Sequence, residues 1–272
     1  MDRGEVEAVI FDWAGTTVDY GCFAPVQAFV ETFRIRGIDI TTEEAREPMG
    51  LAKLEHIRII LGMNRIHNLW NAAFGKEPDE KDVHALYRDF EGMLFKVLKN
   101  HAKPVPGAVE LVSRLRRQGI KIGSTTGYTR EMIDLVAAEA KKWGYKPDSI
   151  VTSAEVPSGR PAPWMCLQTA MNLQVYPLSK MVKVGDTVSD IEEGIFAGMW
   201  TVGVLKGSSE IGLSEQEIKE MDPYRLQARM KRAENRFLNA GADFVIDEIG
   251  DLWDIIDRIN HRLVERKDFF IG

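Results

Sequence analysis

Asp12 closes a short apolar run, AVIF at positions 8–11, and is followed by W-A-G-T-T. A carboxylate at the carboxyl end of a buried strand is placed to attack phosphorus or to ligate a cation, because ligands of open α/β sheets gather at those strand ends. Taken alone, it serves equally as a helix-capping aspartate. The segment G-D-T-V-S-D, 185–190, repeats the arrangement after the apolar run MVKV, with Asp186 and Asp190 four apart across a helix start. Asp186 suits Mg2+, an oxygen-seeking cation that keeps several waters, and Asp190 suits support from the second layer. Here too a plain helix cap, by Thr187 or Ser189, is an alternative. Two more segments offer groups to phosphoryl oxygens. In S-T-T-G, 124–127, Thr126 and Gly127 present a hydroxyl and a backbone N–H between a strand pattern and a helix pattern. In S-G-R-P, 158–161, Arg160 presents a guanidinium to phosphoryl oxygens and to Asp12.

These residues need a scaffold that brings strand ends together. Apolar, β-rich runs at 7–11, 120–124, 149–152, 181–185 and 200–205, with a shorter one in GADFVID at 241–247, alternate with helical patterns at 106–118, 130–144, 163–172 and 189–197. Repeated βαβ of this kind predicts an α/β fold with a doubly wound parallel sheet. Residues 208–239 read as surface helices and 250–267 as a last helix. Between positions 22 and 101 the pattern is helical throughout, as in FAPVQAFVETFRIRG and EKDVHALYRDFEGMLFKVLKN, with no strand signal. An inserted all-helical cap over 21–102, set into a core formed by 1–20 and 103–272, follows. Thr41 with Glu44 has capping-box spacing, Pro48 interrupts that helix, and Gly37, Gly62 and Gly119 are placed as C-terminal stops.

Composition narrows the function classes. The 272 residues are 44% hydrophobic and 28% charged, a globular balance, and the formal net charge of -6 argues against nucleic-acid or anionic-membrane binding. Two cysteines exclude a disulfide framework and a Cys-x-x-Cys zinc site. The charged start MDRGEVEAVIFDW lacks the form of a signal peptide, no apolar run reaches about 18 residues, and a cytoplasmic protein is expected. Cys166, in WMCLQTAM, reads as helix core, and His67, His84, His101 and His261 show no ligand spacing.

The four strand-end motifs, in this order, resemble the haloacid dehalogenase superfamily of aspartyl phosphotransferases over residues 5–20 and 103–250. The resemblance implies Asp12 as nucleophile, Thr126 as phosphoryl-binding hydroxyl, Arg160 as the cation more often supplied by lysine, and Asp186 with Asp190 as metal-site acids. It also exposes a departure. Phosphatases built this way carry a second carboxylate two residues after the nucleophile to protonate the leaving group, and this chain has Ala14. Its backbone carbonyl still suits Mg2+, but an alkoxide leaving group would depart unprotonated, a slow step.

The helical insertion offers an answer in MGLAKLEHIR, 49–58. Lys53 and His56 lie three apart on one helix beside Leu51 and Leu54. A partly desolvated lysine has a lowered pKa, its neutral amine adds to an aldehyde as an imine, and His56 would relay the proton. An imine β to phosphorus draws electrons from a carbon–phosphorus bond, so that carbon leaves as an enamine and no leaving-group acid is required. An ordinary charged helix face, Lys53 with Glu55 and Arg58, is the plain alternative. DWAGTTVDYGCFAP, MGLAKLEH, STTGYTREM, PSGRPAPWM and VGDTVSD together resemble the carbon–phosphorus hydrolases of the superfamily over nearly the whole chain. That likeness implies a small phosphonate substrate, a Lys53 Schiff base, an Asp12 aspartyl-phosphate, and Mg2+ held by Asp12, the Ala14 carbonyl and Asp186. It further implies Met49, His56, Cys22 and Tyr128 around a closed site, and a homodimer. A phosphatase or phosphomutase with a relocated acid, or a silent phosphate-binding module, are the competing expectations.

Overall fold

The structure is a computed structural model that describes residues 5–49 and 51–268. The outer ends of the expected core span, 1–4 and 269–272, and Gly50 of the MGLAKLEHIR segment lie outside the described residues. Among the described residues six strands form one sheet in the order β3-β2-β1-β4-β5-β6. They are β1 (Ala8–Phe11), β2 (Lys121–Thr126), β3 (Ser149–Thr152), β4 (Met181–Gly185), β5 (Trp200–Val204) and β6 (Phe244–Ile246). Every pairing is parallel. Burial on both faces explains the unbroken apolar runs, since each strand must satisfy a helix layer on either side. Along β1 the period-two alternation divides the core: Ala8 and Ile10 pack with Cys166, Ala170 and Leu173 of α8 (Trp164–Leu173), while Val9 and Phe11 join the opposite cluster.

That opposite cluster contains Leu111 and Leu115 of α6 (Ala108–Arg117) and Ile133 of α7 (Arg130–Lys142). It also contains Ile256 and Ile259 of α12 (Leu252–Asp268), and it continues into the helical segment. There α1 (Phe23–Arg34) packs on α5 (Glu80–Val97), and α2 (Thr42–Arg46), α3 (Lys53–Gly62) and α4 (Asn64–Phe74) complete the set. The Thr41–Glu44 capping box forms with both reciprocal hydrogen bonds, and α2 stops before Pro48. Gly37 and Gly119 adopt positive φ as helix stops, whereas Gly62 is the last residue of α3 and the chain turns at the extended Met63 instead.

Register sets the site. Phe11 is level with Ser124 on β2 and Val184 on β4. One step on, Asp12 is therefore level with Thr125 and Gly185, and two steps on come Thr126 and Asp186. β1 is the point where strand order reverses, so its carboxyl end opens into the crevice such sheets use for ligands. The 208–239 stretch departs from expectation: α10 (Glu215–Glu220) and α11 (Pro223–Asn239) are helices, but Ser208–Leu213 is a loop with Ser208, Ser209 and Ile211 buried. That loop folds inward because its polar groups find partners at the ends of β4 and β5, including Asp186 and the Leu205 carbonyl.

Candidate active site

A small cavity of about 40 Å³ lies over the ends of β1, β2 and β4, lined from below by Asp12, Ala14, Thr126, Gly127, Arg160 and Asp186 and from above by Cys22, Met49, Lys53 and Tyr128. Asp12 is buried, and its Oδ1 takes the Arg160 guanidinium at 2.7 Å. No hydrogen bond or ion pair holds its second oxygen among the described residues, which leaves a lone pair facing the cavity. Ala14 sits where the chain turns sharply. Gly15 follows at φ +88°, and a Cβ there would lie 2.3 Å from Asp186 Oδ2, so only glycine lets the turn pass so close to that carboxylate. The two threonines after it tie the turn down: Thr17 Oγ1 donates to the Asp12 carbonyl and Thr16 Oγ1 to Asp186 Oδ1.

Asp186 also accepts the Ser209 N–H at 2.8 Å. Asp190 has both oxygens engaged: Oδ1 meets Lys183 at 2.8 Å and Arg160 at 3.1 Å, and Oδ2 accepts from Thr187 Oγ1 and Thr187 N–H. Thr187 is the N-cap of α9 (Val188–Ala197), with Asp190 closing the capping box. The capping and the site roles of Asp190 are therefore one arrangement. Gly185 makes it possible, since a Cβ there would fall 2.2 Å from Asp190 Cβ. On β2, Thr126 Oγ1 accepts the Tyr128 N–H at 3.1 Å and the residue lines the cavity, while Thr125 faces the other way, toward Lys183.

Beneath lies a second tier that the motifs do not single out. Lys183, fully buried in the middle of β4, donates to Thr125 Oγ1 at 3.0 Å and meets Asp190 and Glu193, the latter at 3.1 Å. Arg160 Nε meets the same Glu193 at 3.0 Å, and its Nη2 donates to Thr125. The signal available in the sequence is the lysine inside MVKVG, a charge at the centre of an otherwise apolar strand, and Glu193 one turn beyond Asp190. Ser209, in the loop read as helix, carried no such signal.

On the sheet side four carboxylates (Asp12, Asp186, Asp190, Glu193) thus face two cations, Arg160 and Lys183, a formal excess of two negative charges. Burial raises the Asp186 carboxyl well above its ordinary range, and Asp12 and Asp190 push it further the same way. Burial raises Asp12 as well, against the pull of Arg160. Asp190 is instead held low, because Arg160 and Lys183 outweigh its burial. Ligand oxygens of Asp12, Asp186 and Asp190 lie within 4.8 Å of one another. An oxygen-rich pocket two charges short of neutral fits a divalent cation, and the free lone pairs belong to Asp12 and Asp186 rather than to Asp190.

The upper wall is differently made. Lys53 opens α3, where the helix dipole disfavours an ammonium, and its side chain lines the cavity. Burial lowers its pKa, against the opposing pull of Cys22 and Asp12. Its Nζ has no hydrogen bond or ion pair among the described residues and lies 5.6 Å from the centre of the Phe29 ring. His56 does not line the cavity. It is fully buried behind it, stacked on Phe29 at 3.9 Å, with Nε2 2.9 Å from the Ala45 carbonyl and Nδ1 unpartnered. The carbonyl requires the proton on Nε2, and burial, aided by Lys53, keeps the ring neutral. Cys22 and Tyr128 are buried with both pKa values pushed up by burial. Of the four histidines read as lacking a role, His101 differs: its Nδ1 meets Asp19 Oδ1 at 2.8 Å, and that carboxylate also caps α1 through the N–H groups of Phe23 and Ala24.

A buried carboxylate with one free oxygen, a threonine hydroxyl, a fixed guanidinium and a set of acids that fits a divalent cation stand together at the switch point of a parallel sheet. The sequence model of the haloacid dehalogenase-like hydrolases matches residues 6–198, and the chain belongs to that family. Curated proteins named phosphonoacetaldehyde hydrolase are similar along nearly the full length. One from Bacillus mycoides strain KBAB4 is 56% identical over 94% of this chain and 97% of its own, and one from Bacillus cytotoxicus is 55% identical over 98% and 100%. The crystal structure of a phosphonoacetaldehyde hydrolase-like protein from Oleispira antarctica superimposes with a TM-score of 0.94 at 43% identity, covering 97% of this chain and 95% of that one.

Proposed function

We propose that this hydrolase cleaves the carbon–phosphorus bond of phosphonoacetaldehyde, giving acetaldehyde and phosphate in the cytoplasm. The observation that carries the reading is the pairing of Ala14, at the position of the missing acid, with an unpartnered, pKa-lowered Lys53 on the opposite wall. The names of the relatives support the same substrate.

In this mechanism the neutral Lys53 amine adds to the aldehyde carbon, and with uptake of one solvent proton water leaves, forming a protonated imine. Asp12 attacks phosphorus through its free oxygen. The carbon–phosphorus electron pair moves to carbon and into the iminium, giving an enamine on Lys53 and an aspartyl-phosphate on Asp12. Carbon then takes a proton, water releases acetaldehyde and regenerates the amine, and a second water releases phosphate and regenerates the carboxylate. Arg160 and Thr126 hold phosphoryl oxygens, Gly127 adds its backbone N–H, and Arg160 orients Asp12. Met49, Cys22 and Tyr128 exclude bulk water, and the bare Nδ1 of His56, one turn along α3 from Lys53, accepts the proton. Asp12, the Ala14 carbonyl and Asp186 would hold Mg2+, which would supply positive charge between the phosphonate and the attacking carboxylate.

The residues divide between a sheet core (1–20, 103–272) and a helical cap (21–102), so turnover requires the cap to open and close. We also propose a homodimer. Most of the apolar stripe in IRIILGM and FEGMLFKVL is internal, but Ile59 and Phe95 remain exposed, with Leu69 and Phe74 on α4; sedimentation gives the mass directly. The test of function is acetaldehyde release from phosphonoacetaldehyde with and without Mg2+, beside phosphate release from a simple monoester. Metal-dependent acetaldehyde with a silent ester is expected. An active ester and no acetaldehyde would replace this reading with a phosphatase.

A further inference from the structure

Arg46 ends α2, three residues before Met49, and its side chain crosses from the helical segment to the sheet side. Nη1 donates to the Gly21 carbonyl at 2.8 Å and approaches the Ser209 carbonyl at 3.5 Å. The guanidinium lies 5.1 Å from the Phe23 ring and rests on Gly212, where a Cβ would sit 2.8 Å from Arg46 Nε. Each anchor leads to the site. Gly21 belongs to the connection into α1, a segment in which Asp19, Gly21 and Cys22 all have positive φ, and its N–H donates to the Gly207 carbonyl. Ser209 supplies the N–H that supports Asp186. On the other side, the carbonyl of the adjacent Ala45 is bound by His56, one turn along α3 from Lys53. A continuous chain of contacts therefore runs from Lys53 through His56, Ala45 and Arg46 to the connecting segment and the loop behind Asp186.

Met49 and Ser209 line both the catalytic cavity and an outer cleft of about 390 Å³, and Arg46 lies in the wall of that cleft beside them. This is the seam along which the two parts would separate. Arg46 Nε and Nη2 are shut off from solvent without partners, so the contact holds the closed form by a limited margin.

We infer that Arg46 is a positioning residue that clamps the α2–α3 segment over Asp12, setting how much of the enzyme is closed with Lys53 facing the nucleophile. The inference rests on the proposed reaction for its kinetic readout, but not for its structural one. Cys22 is buried in the cavity wall and the other thiol, Cys166, is buried on α8, so alkylation of Cys22 by iodoacetamide, mapped by peptide mass against Cys166, reports opening without any substrate.

In the full-length chain, Arg46→Met is expected to speed Cys22 alkylation about tenfold, the scale of one lost charge-assisted hydrogen bond. KM for phosphonoacetaldehyde should rise by a similar factor with kcat within about twofold, because a thinner closed population lowers apparent affinity and substrate binding restores it. Arg46→Lys, keeping the charge on a single-point donor, should fall between. Wild-type alkylation and wild-type KM in Arg46→Met overturn the clamp, as does a fall in kcat alone, the mark of a merely less stable protein. If Arg46→Met does not fold, Gly212→Ala displaces the guanidinium from the sheet side, and the same two shifts are required of it. A wild-type chain that releases no acetaldehyde overturns the reaction, and the rate of Cys22 alkylation then decides by itself whether Arg46 is a clamp.

Discussion

The two walls of the cavity are built on opposite principles. On the sheet side both cations are engaged from several sides: Arg160 reaches Asp12, Asp190, Glu193 and Thr125, and Lys183 reaches Asp190, Glu193 and Thr125. On the helical side Lys53 Nζ, His56 Nδ1 and two Arg46 nitrogens have no hydrogen-bond partner among the described residues. Cations fixed by several partners are preorganised, and they present the same field to whatever phosphorus centre arrives. An unsaturated wall is completed only when substrate and closure arrive together. In the proposed reaction the general phosphoryl chemistry belongs below and the particular step above.

The largest effects would separate the chemical roles of the walls. Asp12→Asn and Lys53→Arg should each cut acetaldehyde release by at least about 10⁴-fold, the scale of removing a nucleophile. Borohydride should still trap substrate on Lys53 in Asp12→Asn, and trap none in Lys53→Arg; trapping in both would break the assignment. Stability separates the walls next. Lys183→Met leaves Asp190 and Glu193 short of a buried partner and should cost about 3–5 kcal/mol in urea unfolding. Lys53→Met removes a cation that has no ion-pair partner, so it should leave stability unchanged or raised; equal losses in the two variants would erase the contrast. Mg2+ should raise stability by about 2–3 kcal/mol at 100 times its dissociation constant, through the two-charge deficit beneath the cavity, and Asp186→Asn should abolish that shift in a thermal melt.

The smallest effect tests the connection between the walls. The hydrogen bond to Asp19 raises the His101 pKa above its ordinary 6.5. The stabilisation is therefore full below 6.5 and is lost as pH rises through the higher folded value. His101→Ala should cost no more than about 1 kcal/mol in the acid range and less at pH 8.5. A cost that grows with pH would remove the ion pair from the account.

Element order was legible because the strands are largely buried and read as apolar runs, while helix ends carry local chemistry: the Thr41–Glu44 box and the Gly119 stop both form. Strand-end residues were legible for the same reason, since register follows from short parallel strands sharing one edge. Ser208–Leu213 misled because its serines and Ile211 look like a helix surface until the partner of Ser209, Asp186 23 residues away, is known. His101 misled because its partner, Asp19, is 82 residues away. Arg46 reads as one more helix-end cation, although its partners lie 25 and 163 residues distant.

What the sequence determined by itself is the set of groups at the strand ends: Asp12, Thr126, Arg160, Asp186 and Asp190, together with Ala14 where an acid is missing and Lys53 where an amine is placed. These follow from local pattern, because strand, turn and helix start lie within a few residues of each group. Only the tertiary structure decided which charges are matched. It put Lys183 and Glu193 under Arg160, left Lys53 unpartnered, drew His56 behind the wall and carried Arg46 across the seam. The physical reason is that burial and Coulomb energy depend on distances between residues far apart in the chain, and no local pattern contains those distances.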